Sequence, residues 1–300
     1  MEKIKSGFVS IVGRPNVGKS TLLNTLLNKK VSIVTEKAQT TRNRIQGILT
    51  TPDAQIVFVD TPGLHKVQNE LDRYMNRVAL QATKGTDVIL LLAPSDEFIG
   101  ENDRFLVKSL QERDVPVFLL ITKADLVSKE LLDLKIQEWK NYGYKFAKII
   151  PVSATTGLNL PALLDEIKQV FPNTGIKFYP DDQYTDQPER FLIREIIREE
   201  ILLQTEQEVP HSVAILIDKF EEKDTLIKVI ASIIVERDSQ KGILIGNKGS
   251  KIKAIGTEAR KKLEELFNKQ FYLELYVKTK AKWRQSASLI KQLGYDKDSY

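Results

Sequence analysis

The chain has 300 residues, 42% of them hydrophobic, no cysteine and a formal net charge of +5. That length predicts about two domains, and the lack of cysteine excludes disulfides, thiol catalysis and cysteine-ligated metals and fits a reducing compartment. The first residues, MEKIKSGF, run straight into an apolar strand, and the longest apolar runs, 88–93 and 115–121, are far too short to cross a bilayer, so a soluble, cytoplasmic protein without a signal peptide is expected.

Phe8, Val9, Ile11 and Val12 read as a strand, and Leu22, Leu23, Leu26 and Leu27 have helical spacing. Between them Gly13, Gly18, Lys19 and Ser20 make G-x-x-x-x-G-K-[ST], the phosphate-binding loop, in the strand–loop–helix context the motif requires. Glycines let the backbone curl so that successive N–H groups face phosphate oxygens, and the helix that follows adds its positive end. Lys19 is placed to reach the β- and γ-phosphates, and the Ser20 hydroxyl to bind Mg²⁺. Residues 31–34 read as a helix–strand transition. The segment 37–44, KAQTTRNR, has no apolar period and reads as a loop. In a nucleotide enzyme such a loop is also a candidate switch, with a threonine reaching Mg²⁺ and the γ-phosphate.

Residues 46–49 and 55–60 read as neighbouring strands joined at Thr51-Pro52-Asp53, the second ending in Asp60-Thr61-Pro62-Gly63. A carboxylate at the carboxyl end of a buried strand, following a phosphate loop, is the expected Mg²⁺-side aspartate. Gly63 lets its N–H approach the γ-phosphate where a side chain would intrude. Next come a strand at 88–93, a helix at 103–113 and a strand at 117–121 that runs into Thr122-Lys123-Ala124-Asp125. Asp125 can accept from the N1–H and N2–H₂ pair of guanine, which adenine lacks, and the Lys123 stem can lie along the base. The strand at 149–152 leads into Ser153-Ala154, where a backbone N–H can reach guanine O6, and an amphipathic helix at 160–171 closes the domain. Alternating strands and helices predict an α/β, doubly wound, mostly parallel sheet with the motif loops at its carboxyl edge.

GRPNVGKS, TTR, DTPG, TKAD and SA, in this order and spacing, resemble the GTPase domain of the translation-factor-related small GTPases, and KAQTTR narrows the resemblance to the Era family. Position by position, it implies that Gly13, Arg14, Pro15, Asn16, Val17, Gly18, Lys19, Ser20 and Thr21 cradle the phosphates of GTP or GDP. It implies that Asp60, Thr61, Pro62 and Gly63 line the γ-phosphate side, and that Thr122, Lys123, Asp125, Ser153 and Ala154 hold guanine. Ser20, Thr41 and Asp60 would hold Mg²⁺, with Thr40 the lesser alternative to Thr41. Lys19, Thr41 and Gly63 are the implied catalytic positions, and a K⁺ ion at Asn16 belongs to the same likeness. Two positions depart from common patterns. Thr122 stands where the guanine motif usually has Asn, which bears on affinity more than on base choice. Leu64 stands where Ras-type enzymes place a water-orienting Gln, so slow intrinsic hydrolysis is expected, driven by positioning and Mg²⁺. His65 is a tempting base but is expected to be exposed and idle.

Residues 177–188, KFYPDDQYTDQP, read as a linker. The predicted division is a GTPase domain at 1–176, a linker at 177–189 and a second domain at 190–300. In the second, 191–204 reads as one packed helix with charges on the other face, 213–217 and 226–235 as strands, 250–267 as a basic helix and 272–277 as a strand. Gly246-Asn247-Lys248-Gly249 is G-x-x-G, set between two helical stretches. Glycines there let a turn approach a sugar–phosphate backbone, and Lys248, Lys251 and Lys253 supply charge without reading sequence. Residues 181–240 hold 7 Lys and Arg against 15 Asp and Glu, whereas 241–300 hold 14 against 6, so the basic end suits a polyanion. Arg260 to Lys262 form a weaker basic cluster. Lys282-Trp283-Arg284 is open to two readings, a base-stacking platform or a core anchor for the tail.

The order helix–strand–strand–helix–helix–strand resembles a type II KH domain, a smaller α+β module, with Ile245, Gly246, Asn247, Lys248, Gly249, Lys251 and Lys253 as its RNA-binding residues. Era-type proteins bind the 3′ end of small-subunit ribosomal RNA and act in small-subunit assembly, and the resemblance implies the same here. It also implies a monomer that can sit peripherally at membranes. The competing expectation is a constitutive RNA-binding scaffold whose nucleotide site is structural; an ATP-using enzyme is disfavoured by Asp125.

Overall fold

The computed structural model describes residues 4–296. They form two compact units, one made of residues 4–32, 41–67 and 75–186, the other of 33–40, 68–74 and 187–296.

The first unit is built on six strands: β1 (Lys5–Gly13), β2 (Ile45–Thr50), β3 (Ala54–Asp60), β4 (Val88–Pro94), β5 (Val117–Thr122) and β6 (Lys148–Pro151). Their order is β2-β3-β1-β4-β5-β6; only β2 runs antiparallel to its neighbour. Helices α1 (Lys19–Leu27), α2 (Glu70–Gln81), α3 (Glu101–Leu110), α4 (Lys129–Lys140) and α5 (Leu160–Val170) fill the connections. β3, β4 and β5 are buried at every position, which is why they read as unbroken apolar runs rather than alternating ones. Each fully buried Ile or Leu in them contributes about 1.5–3 kcal/mol. The sheet is the mostly parallel α/β arrangement expected, and it delivers the ends of β1, β3 and β5 to one edge.

Three local features differ from expectation. Residues 31–34 form no strand: the Asn24 side chain accepts from the N–H groups of Val31 and Ser32, both at 3.0 Å, and donates to the Ser32 carbonyl at 2.7 Å. Helices α2 and α4 were not anticipated. The stretch 177–186 does not hang free: Tyr184 O accepts from Ile48 N at 2.9 Å, Thr185 bridges Gly47, and Gln55 Oε1 accepts from Phe178 and Tyr179 N. It thereby covers the exposed edge of β2, an edge that would otherwise offer unpaired backbone groups.

The second unit runs α6 (Glu189–Gln204), α7 (Val209–Ser212), β7 (Ala214–Glu222), β8 (Leu226–Val235), α8 (Asp238–Ile245), α9 (Ser250–Phe267), β9 (Gln270–Thr279) and α10 (Ala287–Gln292). β8 is central, antiparallel to β7 and parallel to β9. Ile193, Ile197 and Ile201 of α6, Ile227, Val229, Ala231 and Ile233 of β8, and Ile255, Ala259 and Leu263 of α9 make one core. The helical spacing of the first and third sets and the alternation of the second specify which faces meet. This is the small KH-type α+β module expected. The charged face of α6 is also covered. Glu195, Arg198, Glu199 and Glu200 are all buried. Trp283 is fully buried, donates Nε1–H to Ser212 O at 2.9 Å and stacks on Tyr295, so the core-anchor reading holds and the stacking platform does not.

Candidate nucleotide site and nucleic-acid interface

The loop between β1 and α1 turns through two left-handed residues, Asn16 (φ 63°) and Gly18 (φ 94°). Alternating handedness is how a backbone makes its N–H groups converge on an anion. Val17, between them, is buried, and its carbonyl accepts from Thr122 Oγ1 at 2.8 Å. The end of β5 thus props the loop from behind. Arg14 is tied outward by Glu97 at 2.8 Å and Asp103 at 3.6 Å.

Lys19 opens α1 inside this curl. Its Nζ donates to Gly13 O at 3.1 Å and Arg14 O at 2.8 Å. Burial lowers its pKa to about 8, with Asp60 pulling the other way. A cation so poorly solvated is electrostatically primed for phosphate oxygens.

Three predicted hydroxyl and carboxyl groups meet next to it. Ser20 Oγ donates to Asp60 Oδ2 at 2.7 Å and lies 2.8 Å from Thr41 Oγ1. Ser32 Oγ, which no sequence motif singled out, donates to the same Asp60 oxygen at 3.0 Å. Asp60 is fully buried, and burial raises its carboxyl above the ordinary range against the opposing effects of Lys19 and these hydroxyls. Its second oxygen, Oδ1, is buried and finds no hydrogen-bond partner among the described residues. Two small hydroxyls beside an under-compensated carboxylate are hard oxygen donors of the kind Mg²⁺ takes alongside phosphate and water. No cluster of three His, Cys, Asp or Glu able to hold a metal alone occurs among the described residues.

Gly63 follows Asp60-Thr61-Pro62 at a tight crossing: a Cβ there would lie 2.7 Å from Pro15 N and 2.8 Å from Pro15 Cα. The β3 end and the phosphate loop approach this closely only because the residue is glycine. Thr61 is pinned by donating to Ile11 O at 2.8 Å.

On the other side, Lys123 adopts φ 56° and Asp125 sits in a short 3-10 turn, Ala124–Leu126. Asp125 is exposed, and hydrogen bonding from Ser153 holds its carboxyl below the usual range. Ser153 is itself buried beside it, and Ala154 follows. An ionised carboxylate facing outward next to a backbone turn is the acceptor that guanine requires.

In the second unit, α8 and α9 are joined by the G-x-x-G turn. Gly246 has φ 72° and ψ −179°, Lys248 φ 50° and Gly249 φ 82°. The Gly246 combination is essentially glycine-only, and a Cβ there would meet Lys251 Cβ at 2.7 Å. Nothing lies within 4 Å of a Cβ built on Gly249. Asn247, Lys248 and Lys253 are exposed, and Ile245 and Lys251 half-buried. The Arg260–Lys262 cluster is different: Arg260 pairs with Glu264, Lys261 with Glu258, and Lys262 with Glu199 and Glu200.

Residues 8–123 match the family described as 50S ribosome-binding GTPase, and residues 208–284 the KH domain. The chain is 37% identical to a variant of Aquifex aeolicus Era crystallised with GDP·AlF4⁻, covering 97% of this chain and 99% of that one at a TM-score of 0.93. It is 38% identical, with the same coverage and TM-score, to Era in complex with MgGDPNP and nucleotides 1506–1542 of 16S ribosomal RNA. The chain belongs to the Era family of GTPases.

Two positions at which the chain departs from common GTPase patterns have physical accounts. Thr122 spends its hydroxyl on the phosphate loop, so the loop is braced without the usual amide. Leu64 is 2% exposed and packs with Val12, Ala79 and Leu106 in the apolar core, so it contributes no polar group to the site. His65 is half-buried rather than exposed; its Nδ1 lies 2.9 Å from Gly63 O, and Asn76 holds its backbone. No helix among the described residues is long and apolar enough to cross a membrane.

Proposed function

We propose that this protein binds GTP, hydrolyses it slowly to GDP and phosphate, and couples that cycle to binding of small-subunit ribosomal RNA during small-subunit assembly. The observation that carries the first half is the convergence of Ser20, Thr41 and Asp60 Oδ2 beside Lys19, with the other Asp60 oxygen, Oδ1, buried and without a partner among the described residues. Residues 13–21 cradle the phosphates, with Lys19 on the β- and γ-oxygens. Ser20, Thr41 and Asp60 would hold Mg²⁺, which would supply positive charge against that of the transferred phosphoryl group. Gly63 offers its N–H to the γ-phosphate. Asp125 accepts from guanine N1 and N2, Lys123 covers the base face, and Ser153 and Ala154 bound it. With Leu64 in the core, no side chain at that position orients the attacking water, so turnover relies on backbone positioning and electrostatics. A K⁺ ion at Asn16 would add to the same field.

Residues 245–253 bind the RNA. The left-handed turn brings backbone N–H groups to the sugar–phosphate chain, and Lys248, Lys251 and Lys253 supply charge. Residues 1–176 serve as the nucleotide domain and 190–300 as the RNA domain of a cytoplasmic monomer, with peripheral membrane attachment carried over from the family likeness alone.

The test is affinity for an oligonucleotide of the small-subunit rRNA 3′ tail at one fixed salt concentration, with a non-hydrolysable GTP analogue, with GDP, and with a Gly249→Asp variant. The expected result is severalfold tighter binding with the analogue and loss of binding in the variant, where the new side chain has space but strains the backbone at φ 82° and brings a negative charge. Equal affinity with both nucleotides would make the protein a constitutive scaffold, since a ligand without differential effect switches nothing. A variant that binds like its parent would remove the RNA assignment.

A further inference from the structure

Ser32 is part of no motif, yet it sits against the carboxylate on which the phosphate side of the site turns. It is 1% exposed, and a hydroxyl so deeply buried must find a partner. Its Oγ donates to Asp60 Oδ2 at 3.0 Å, the same oxygen that accepts from Ser20 at 2.7 Å. One carboxylate oxygen thus takes two hydroxyl donors, while Oδ1 is buried with no hydrogen-bond partner among the described residues. So lopsided a set of bonds fixes the way the carboxylate faces.

What aims Ser32 is Asn24. Its Oδ1 accepts from the N–H groups of Val31 and Ser32, both at 3.0 Å, and its Nδ2 donates to the Ser32 carbonyl at 2.7 Å. The backbone of Ser32 is therefore gripped on both sides by a single amide. Asn24 stands four residues after Ser20 in α1, so the two lie on one face of the helix. That face brings Ser20 to Asp60 directly and Ser32 to Asp60 through Asn24. All four residues belong to the first unit.

We propose that Ser32, held by Asn24, is a positioning residue for the Mg²⁺-bound nucleotide: its hydroxyl fixes the Asp60 carboxylate through Oδ2 and so sets how Asp60 meets the ion. The inference rests on the reading of Asp60 as the Mg²⁺-side carboxylate. Of the two hydroxyls on Oδ2, Ser20 is also read as a ligand of the ion, whereas Ser32 is not. The consequence is selective. A nucleotide that arrives with Mg²⁺ depends on Ser32; the same nucleotide without the metal, held by the phosphate loop and Asp125, does not.

The experiment measures affinity for a non-hydrolysable GTP analogue in the full chain, at millimolar Mg²⁺ and again with the metal removed by EDTA. The ratio of the two affinities is the gain due to Mg²⁺. Ser32→Ala removes one oxygen atom and leaves the three Asn24 bonds, all to backbone groups, in place. Asp60→Asn and the double variant run alongside, since two residues that act through one contact have non-additive effects. In Ser32→Ala the gain should fall about tenfold, the effect of one hydrogen bond to a charged group, with metal-free affinity unchanged within about twofold. Raising Mg²⁺ by about tenfold should restore the lost binding. Asp60→Asn should lose the gain, and adding Ser32→Ala to it should change nothing more. Equal weakening with and without the metal, an undiminished gain, or a loss that adds in full to that of Asp60→Asn each overturns the positioning role while leaving Asp60 in place. If Asp60→Asn keeps the whole gain, the Mg²⁺-side reading fails, and the inference built on it fails with it.

Discussion

The nucleotide site and the G-x-x-G turn are both loops at element ends, yet they are built in opposite ways. At the nucleotide site, the groups on the phosphate side are mostly buried, although Asp125 on the base side is exposed. Lys19, Thr41, Asp60, Thr122 and Ser153 are each 6% exposed or less, and every one has a geometrically fixed partner. At the G-x-x-G turn, what is built is backbone shape, and the charged side chains around it stand mostly in solvent. A buried site concentrates its work on few groups in a low dielectric, whereas an exposed basic loop spreads it over many weak contacts. Single substitutions should therefore be severe and specific in the first region and graded in the second.

The sharpest way to break that contrast is Lys19→Ala. Loss of the buried ammonium should slow single-turnover GTP hydrolysis by about a thousandfold; turnover within tenfold of the parent would show that the phosphate loop does not concentrate the chemistry. Next comes Asp125→Asn, expected to shift preference from guanine toward xanthine nucleotides by about a hundredfold, read by competition binding. An unshifted preference would mean that base choice is spread over the pocket rather than carried by one carboxylate. Third is Gly246→Ala. A methyl group would press on Lys251 and force a glycine-only conformation, so RNA affinity should fall about tenfold while GTP hydrolysis without RNA stays at the parent rate. A drop in both would mean that the shape of the turn serves more than RNA.

The contrast also explains what was legible in the sequence. The phosphate loop, Asp60 and Asp125 were readable because each has one chemical reason for its residue type at that spacing, and the unbroken apolar strands placed them at one sheet edge. Ser32 was not readable: a lone serine between Val31 and Ile33 carries no pattern, and it reaches Asp60 only because Asn24 shapes the chain there. Helix α2 does carry a periodic signal in Leu71, Met75 and Ala79, all buried, but loop-like polar residues on its amino-terminal side hide it. Helix α4 carries one too, in Leu132, Ile136 and Trp139, which pack into the core, but the exposed Leu131 and Leu134 beside them blur the stripe. The charged face of α6 misleads for a deeper reason. Periodicity reports which face is apolar; it cannot report that the polar face is covered by the chain's own segments, Ile33–Thr40 among them.

The smallest expected effects lie at the lysines of the second region, and they test its distributed character most directly. Lys248, within the turn, and Lys253, in the helix that follows it, are both exposed. Each alanine substitution should weaken RNA binding only about two- to fivefold at moderate salt, uniformly across sequences. The decisive quantity is the slope of log affinity against log salt. A lysine that neutralises one phosphate on single-stranded RNA contributes about 0.7 to that slope, so each variant should flatten it by about that amount, and the pair by about twice as much. A large loss with an unchanged slope would assign the lysine a hydrogen-bonding role instead, and the exposed loop would then resemble the buried site after all.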